Sequence, residues 1–319
     1  MKKIISAILV LALALSLAAC GGSAATKMTM GTGGTSGTYY AFGGVLGQYI
    51  KNNAGIDVTV VSTDGSKANI ESIAAGDYQR GTVQSDVMAY AWSGTRSFET
   101  NGAIDSFRVV AGLYAESVQL ITMDPEIKSV SDLAGKAVSI GAPGSGVYFN
   151  AIDVLAAAGL TEADINPQYQ SFADSTDALK DGKIDAAFIV AGAPTAAITE
   201  LCTTNNAYLV PIDGEVADKL FAESPFYTAY TIPAGTYAGQ DADVTTVTVK
   251  ATLIVSASAA EEDVYNLTKA IFENTEAIAA ENGKGAELSI ENATSGMTAP
   301  FHAGAAKYFA EKGVTVETN

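Results

Sequence analysis

The sequence predicts an α/β fold in which two similar units face one cleft. Three observations carry this reading. Short β-branched runs alternate with amphipathic segments along the whole chain. Two glycine-rich loops, GTGGTSGTYY (31–40) and GAPGSG (141–146), each follow a strand and open a helix. One long β-rich run at 244–255 is placed to return from the second unit to the first.

In chain order, residues 28–30 read as a short strand before the first glycine loop and 39–51 as a helix. A strand at 56–61, a helix at 66–75, a strand at 82–84 and a helix at 85–91 follow, the last entered through Ser85 as a capping serine. The second rhythm begins after 118–123. Ser131, Asp132 and Leu133 start a short helix, 136–140 is a strand, and the second glycine loop opens a helix over 147–158. A strand at 184–190 leads to Gly192, Ala193 and Pro194, read as a helix start with proline in the favoured first turn. Residues 232–243 read as turns, 244–255 as strand, and 261–280 and 301–312 as amphipathic helices that complete the first unit. The expected division is therefore lobe I at 28–116 and 252–319, and lobe II at 117–251. Two chain crossings, near 113–120 and 248–253, form a hinge able to close on a ligand.

Each glycine loop is suited to an anion. Glycine admits backbone angles closed to other residues, so successive N–H groups converge, and the helix that follows adds unpaired donors and positive dipole. Thr32, Thr35, Ser36 and Thr38 supply hydroxyls. Gln84, Ser85 and Asp86 lie at the carboxyl end of a strand, where open α/β sheets place ligands, although Ser85 and Asp86 serve equally well as helix caps.

The first twenty residues read as targeting. Lys2 and Lys3 precede an apolar stretch at 4–17 and the small residues Ala18 and Ala19, the layout of an export signal. LAAC (17–20) resembles a bacterial lipobox, whose cysteine carries lipid and becomes the first residue of the mature chain. On that reading 1–19 is a signal peptide, Cys20 the lipidation site, and 20–27 a lipidated N-terminus with a flexible tether. The protein is then exported and held on the outer face of the cell membrane by its N-terminal lipid only. Cys202 is left without a partner for an intramolecular disulfide.

Charge narrows the partners. With 18 basic and 35 acidic residues the net charge is −17. A phosphate-backbone binder needs clustered Lys and Arg, so nucleic acid is not expected. An enzyme is also disfavoured: Ser36 stands where a dinucleotide fingerprint needs its third glycine, no Walker A string occurs, and Ser145 lies in PGSGV instead of GxSxG. His302 is the single histidine, suited to a helix start or to packing, and no zinc cluster or EF-hand spacing is present. No catalytic residue, metal or cofactor is assigned.

Seven segments in order, GTGGTSGTYY, VQSDVMAYAWSG (83–94), LYAE (113–116), SDLAGKAVSIGAPGSG (131–146), DGKIDAAFIVAGAP (181–194), IPAGTY (232–237) and FHAGAAKYFAEKG (301–313), resemble the TAXI family. Its members are solute receptors of TRAP-type secondary transporters. The resemblance spans the mature chain and implies a two-lobe, type II periplasmic-binding-protein fold with a hinge of crossing strands. It also implies a small carboxylate ligand, glutamate among them, delivered to the integral membrane subunits of a sodium-coupled TRAP permease. Ala41, Ala115 and Ala303 replace prolines common in the family, which loosens local geometry without removing a ligand contact.

Carried over by position, the resemblance places Thr35, Ser36, Gly37 and Tyr39 or Tyr40 at the cleft, with Gln84 and Ser85 beside them. Pro143, Ser145, Gly146, Gly192, Ala193 and Pro194 face them from lobe II. One ligand carboxylate would sit on the first loop and a second polar end on the GSG helix start. Glu116 near the crossing would receive a ligand ammonium, unless it is only a solvated surface carboxylate. Tyr39, Tyr40 and Trp92 are candidate pocket walls. Arg80, Arg96 and Arg108 are the arginines that could reach in. A rival reading keeps the same clamp but shows its closed form to a sensor kinase or chemoreceptor.

Overall fold

A computed structural model describes residues 26–318. The signal segment, Cys20 and most of the tether lie outside the described residues. The strands are β1 (Lys27–Gly31), β2 (Asp57–Val61), β3 (Arg80–Gln84), β4 (Phe107–Thr122), β5 (Ala137–Ser139), β6 (Asn166–Gln168), β7 (Ala186–Ala191), β8 (Tyr208–Val210), β9 (Thr228–Ile232) and β10 (Val244–Ser256). The helices are α1 (Thr38–Ala54), α2 (Ser66–Ala75), α3 (Ser85–Ser93), α4 (Val147–Ala157), α5 (Phe172–Lys180), α6 (Ala196–Thr204), α7 (Gly214–Glu223), α8 (Glu261–Phe272), α9 (Thr275–Glu281), α10 (Ile290–Thr294) and α11 (Ala303–Glu311). The strands pair in the order β2-β1-β3-β10-β4-β7-β5-β6, with β8 also on β4 and β9 also on β10.

The two long strands make the molecule bilobal. β10 and β4 run antiparallel from Ser256 opposite Phe107 to Thr248 opposite Ser117. Beyond that point β4 turns to β7 and β8, and β10 turns to β9. Both strands therefore belong to both lobes, and the crossing where they change partners is where the two lobes join. A register shift between Lys250 and Thr252 puts an irregularity at this crossing, where a bulge increases twist.

Packing follows from residue periodicity. In α1, Phe42, Leu46 and Ile50 recur every four residues and are fully buried, giving one apolar stripe. Gly43 and Gly47 share that face because the sheet lies close: an added Cβ would meet Thr32 Cγ2 at 2.9 Å and Val58 Cβ at 3.3 Å. Lobe I has one core, which includes Phe42, Phe107, Tyr114, Ile271 and Phe309. Lobe II has a core on each face of its sheet, and β7 shows why. Ala186, Phe188 and Val190 enter one while Ala187, Ile189 and Ala191 enter the other, the period-two alternation of a strand covered on both sides.

Three local expectations are corrected. The helix read over 261–280 is two helices, because Asn274 leaves helical geometry at φ −127°, ψ 23° and its side-chain amide donates to Ala270 O at 2.8 Å. α6 starts at Ala196 after Thr195, so Pro194 stands before the helix and not in its first turn. The residue flanking α3 is Gln84, and the Ser85 hydroxyl instead accepts from Lys250 N at 3.2 Å. His302 flanks α11, its Nδ1 accepting from Gly304 N at 3.2 Å, in keeping with a helix-start role.

Candidate functional site

A cleft of about 610 Å³, its mouth included, lies between the lobes. Lobe I lines it with the loops that leave β1 and β2, through Gly33, Gly34, Gly37 to Tyr39 and Thr63 to Ser66, and with Gln84 at the end of β3. Lobe II contributes Ala142, Ser145 to Val147, Gln170 to Phe172, Val190 and Ala191. Glu116 also lines it, at the crossing.

These segments reach the same space because each follows the carboxyl end of a strand in its own lobe, and the lobes face each other. α1, α2 and α4 open at Gly37, Gly65 and Gly146, none with a side-chain cap. Their early backbone N–H groups lack intrahelical partners, and three positive helix ends therefore converge on the cleft. One donor is used across it, Ala68 N to Gly144 O at 3.1 Å. Among the described lining residues the ionisable carboxyls are Asp64 and Glu116, and no Lys or Arg is present.

The lobes are closed on each other. Thr38 Oγ1 donates to Gly192 O at 2.8 Å, Ala197 N to Ser36 O at 3.2 Å, and Gln84 Nε2 to Asn150 Oδ1 at 2.7 Å. Asn150 Nδ2 donates to Asp86 Oδ2 at 3.0 Å and to Tyr227 Oη at 2.8 Å. Tyr227 in turn donates to Asp153 at 2.9 Å, and Arg96 of lobe I pairs with Asp153 of lobe II at 2.7 Å.

Burial sets the charge state of the acids. Glu116 is 2% exposed. Its pKa is pushed up to about 8, first by loss of hydration and further by Asp86, while Tyr39 and Lys284 pull the other way. Asp86 is pushed up to about 7, again chiefly by burial. Four buried polar atoms of lining residues have no hydrogen-bond partner among the described residues: Tyr39 Oη, Gln84 Oε1, Ser145 Oγ and Gln170 Oε1. Tyr39 Oη faces Glu116 closely enough to lower its pKa without completing that hydrogen bond. Buried polar atoms left unpaired cost stability, and these four stand together at one cleft.

The structure brings Gly37, Tyr39, Gln84, Glu116, Ser145 and Gly146 together in the lining. It places Thr35 at an exposed turn and leaves Tyr40 half-buried outside the lining, since one helical step after Tyr39 points elsewhere. Ser36 offers its carbonyl to Ala197 instead of a hydroxyl to the cleft. Ser85 faces the rear of the hinge with Lys250. Pro143 and Pro194 are exposed, Ala193 is packed into lobe II, and Gly192 contacts lobe I outside the lining. Trp92 packs on Phe107 at 5.6 Å. Arg80, Arg96 and Arg108 stay out, engaged respectively by burial in lobe I, by Asp153 and by the carbonyls of Asp105 and Phe107. Residues 63–66 and 170–172 were not singled out by sequence. Their signal is a strand followed by a small polar residue at a helix start, in STDGS and QSF.

Residues 30–313 match the NMT1-like family. The chain belongs to that family. Among solved structures, the NMT1-like chain is similar to the alkanesulfonate-binding protein SsuA from Xanthomonas axonopodis pv. citri bound to MOPS, at 16% identity over 91% of this chain and 92% of that one, TM-score 0.52. A protein from Bordetella bronchiseptica RB50 is 18% identical over 89% of each chain, TM-score 0.56. A binding-protein component of a Pseudomonas aeruginosa ABC phosphonate transporter is 10% identical over 81% of this chain and 79% of that one, TM-score 0.51. At these identities the likeness establishes fold: the NMT1-like chain has the two-lobe periplasmic-binding-protein architecture, with β4 and β10 as its hinge. Among the described residues no helix is long and apolar enough to cross a membrane, and no His, Cys, Asp and Glu cluster is suited to a metal ion.

Proposed function

We propose that this protein is an extracytoplasmic solute receptor. It captures a small amino acid, glutamate being the family-guided choice, and hands it to the membrane subunits of a TRAP-type permease. The observation that supports this most is the composition of the closed cleft: converging helix N-termini with no cationic side chain, beside a buried acid and two unpaired glutamine oxygens. The N–H groups and Ser145 Oγ suit a carboxylate. Gln84 Oε1 and Gln170 Oε1 are acceptors, and Glu116, protonated near neutral pH, becomes one when an ammonium displaces its proton, so together they suit an ammonium. A zwitterion satisfies both sets, whereas a sulfonate, as in the name of the SsuA neighbour, or a phosphonate, as in that of the Pseudomonas transporter component, leaves the glutamine acceptors unpaired.

No reaction is proposed, since the cleft holds neither a histidine nor an activated nucleophile. The TRAP partner and the lipid anchor rest on the TAXI-like segments and on the LAAC string. The division into lobe I at 28–116 and 252–319 and lobe II at 117–251 rests on where β4 and β10 change partners. Cys20→Ser is expected to abolish labelling by radioactive fatty acid; a variant that still takes label defeats the anchor reading.

Binding is tested by calorimetry on refolded protein against glutamate, glutamine, succinate, methanesulfonate and methylphosphonate. Saturable binding of the amino acids alone is expected, and binding of the sulfonate or phosphonate alone refutes the zwitterion reading. Ser145→Ala is expected to weaken glutamate binding by about 1–3 kcal/mol, the value of a hydrogen bond to a charged group. Ser36→Ala, whose hydroxyl is outside the lining, is expected to leave it unchanged. Equal effects of the two would remove Ser145 from the site.

A further inference from the structure

Two glycines of lobe II have ordinary backbone angles and yet no room for a side chain. Gly146 sits at φ −78°, ψ −21°, open to any residue, and Gly192 is also outside the left-handed region. What excludes a Cβ is the other lobe. At Gly146 it would overlap Gln84 Oε1 and Cδ outright and come within 3.1 Å of Ser66 Oγ. At Gly192 it would lie 2.8 Å from Lys284 Cε and 3.1 Å from Thr38 Cγ2. All four obstacles belong to lobe I.

They cannot easily give way. Gln84 is 2% exposed and its amide is held by Asn150 at 2.7 Å. Lys284 is 8% exposed and pinned by Glu287 at 2.7 Å. Thr38 is fixed by the hydrogen bond it gives to Gly192 O. Displacing Gln84 would strip Asn150 Oδ1 of its donor in a buried interface, a costly loss.

We propose that Gly146 and Gly192 are closure positions: the lobes shut only because neither carries a side chain, and a methyl at either holds the clamp open while both lobes stay folded. The inference rests on reading the cleft as a clamp, but it concerns lobe contact and not ligand identity. Gly146 thus acts on binding through the position of Gln84, and its absent side chain is what lets the GSG helix start meet lobe I.

Disulfide trapping tests this without any ligand. A Cβ built at Gly144 lies 3.6 Å from Ala68 Cβ across the cleft, within disulfide reach, and Gly144 at φ 84° makes a cysteine there a strained one, so rates are compared only between variants that share the pair. The pair Ala68→Cys with Gly144→Cys, in a Cys202→Ala background, should cross-link under mild oxidant whenever the lobes shut. Adding Gly146→Ala is expected to slow cross-linking at least tenfold with an unchanged circular dichroism spectrum, and Gly192→Ala to slow it less. Adding Gln84→Ala to the Gly146→Ala protein is expected to restore the rate, which a misfolded lobe could not do. Unslowed cross-linking in Gly146→Ala, or no rescue by Gln84→Ala, overturns the proposal. The calorimetric series bears on ligand class separately, so the two readings fail independently.

Discussion

Replacing Glu116 with glutamine is expected to make stability much less dependent on pH. In the folded protein the Glu116 pKa is pushed up to about 8 by burial, against an ordinary value of 4.5. Below pH 4.5 both folded and unfolded states hold the proton, and Glu116 contributes no slope. Between 4.5 and 8 the unfolded chain releases it while the folded chain keeps it, so stability falls as pH rises, and above 8 the full loss is reached. Asp86, raised to about 7 from 3.8, adds loss of the same sign in its own lower window. The wild type should therefore be most stable in mild acid. Glu116→Gln has no proton to lose, and it is expected to gain on the order of 4 kcal/mol over wild type at pH 9 relative to pH 5, since each tenfold difference in proton affinity between the two states is worth about 1.4 kcal/mol. Denaturant melts at pH 5, 7 and 9 measure this. Parallel curves for the two proteins would show that Glu116 ionises normally. The same coupling gives ligand binding a signature: an ammonium placed on Glu116 favours its ionised form, so binding near pH 7 should release a proton.

Arg80→Met is expected to stabilise the protein by about 1–4 kcal/mol, against the usual direction of core substitutions. Arg80 is fully buried at the start of β3, and its Nε, Nη1 and Nη2 have no hydrogen-bond partner among the described residues. Burial pulls its pKa down to about 10, with only the charge of Asp263 opposing. An unpaired guanidinium in an apolar interior costs several kcal/mol of lost hydration, and methionine keeps much of the length and volume without that cost. Thermal and denaturant unfolding at pH 7 settle the sign. A loss of stability would mean that the guanidinium is hydrated or paired inside lobe I.

Several elements were legible because short-range physics specifies them. Helix α2 matched its expected bounds, and β10 extended the expected strand by one residue, since apolar periodicity and flanking glycines act locally. The return crossing was legible too, as one long β-rich run at 244–255, whereas the full length of β4, Phe107–Thr122, showed only in the structure. Asn274 was not, because a polar residue inside an amphipathic pattern shows only in three dimensions whether it continues a helix or bonds back to its carbonyls.

The site divides in the same way. Sequence alone determined that glycine loops precede α1 and α4, and that Gln84 ends a strand beside them. Backbone freedom and strand-end position are properties of a short segment. Tertiary structure alone decided which of those residues share the cleft. Helical rotation turns Tyr39 in and Tyr40 away, a turn leaves Thr35 in solvent, and folding draws residues 63–66 and 170–172 into one wall. Glu116 could have been a solvated carboxylate; its burial at the crossing comes from packing by both lobes, and burial raises its pKa. The glycines at 146 and 192 show the same division. Their codons fix the missing side chain, but only the opposing lobe, far away in sequence, makes its absence matter.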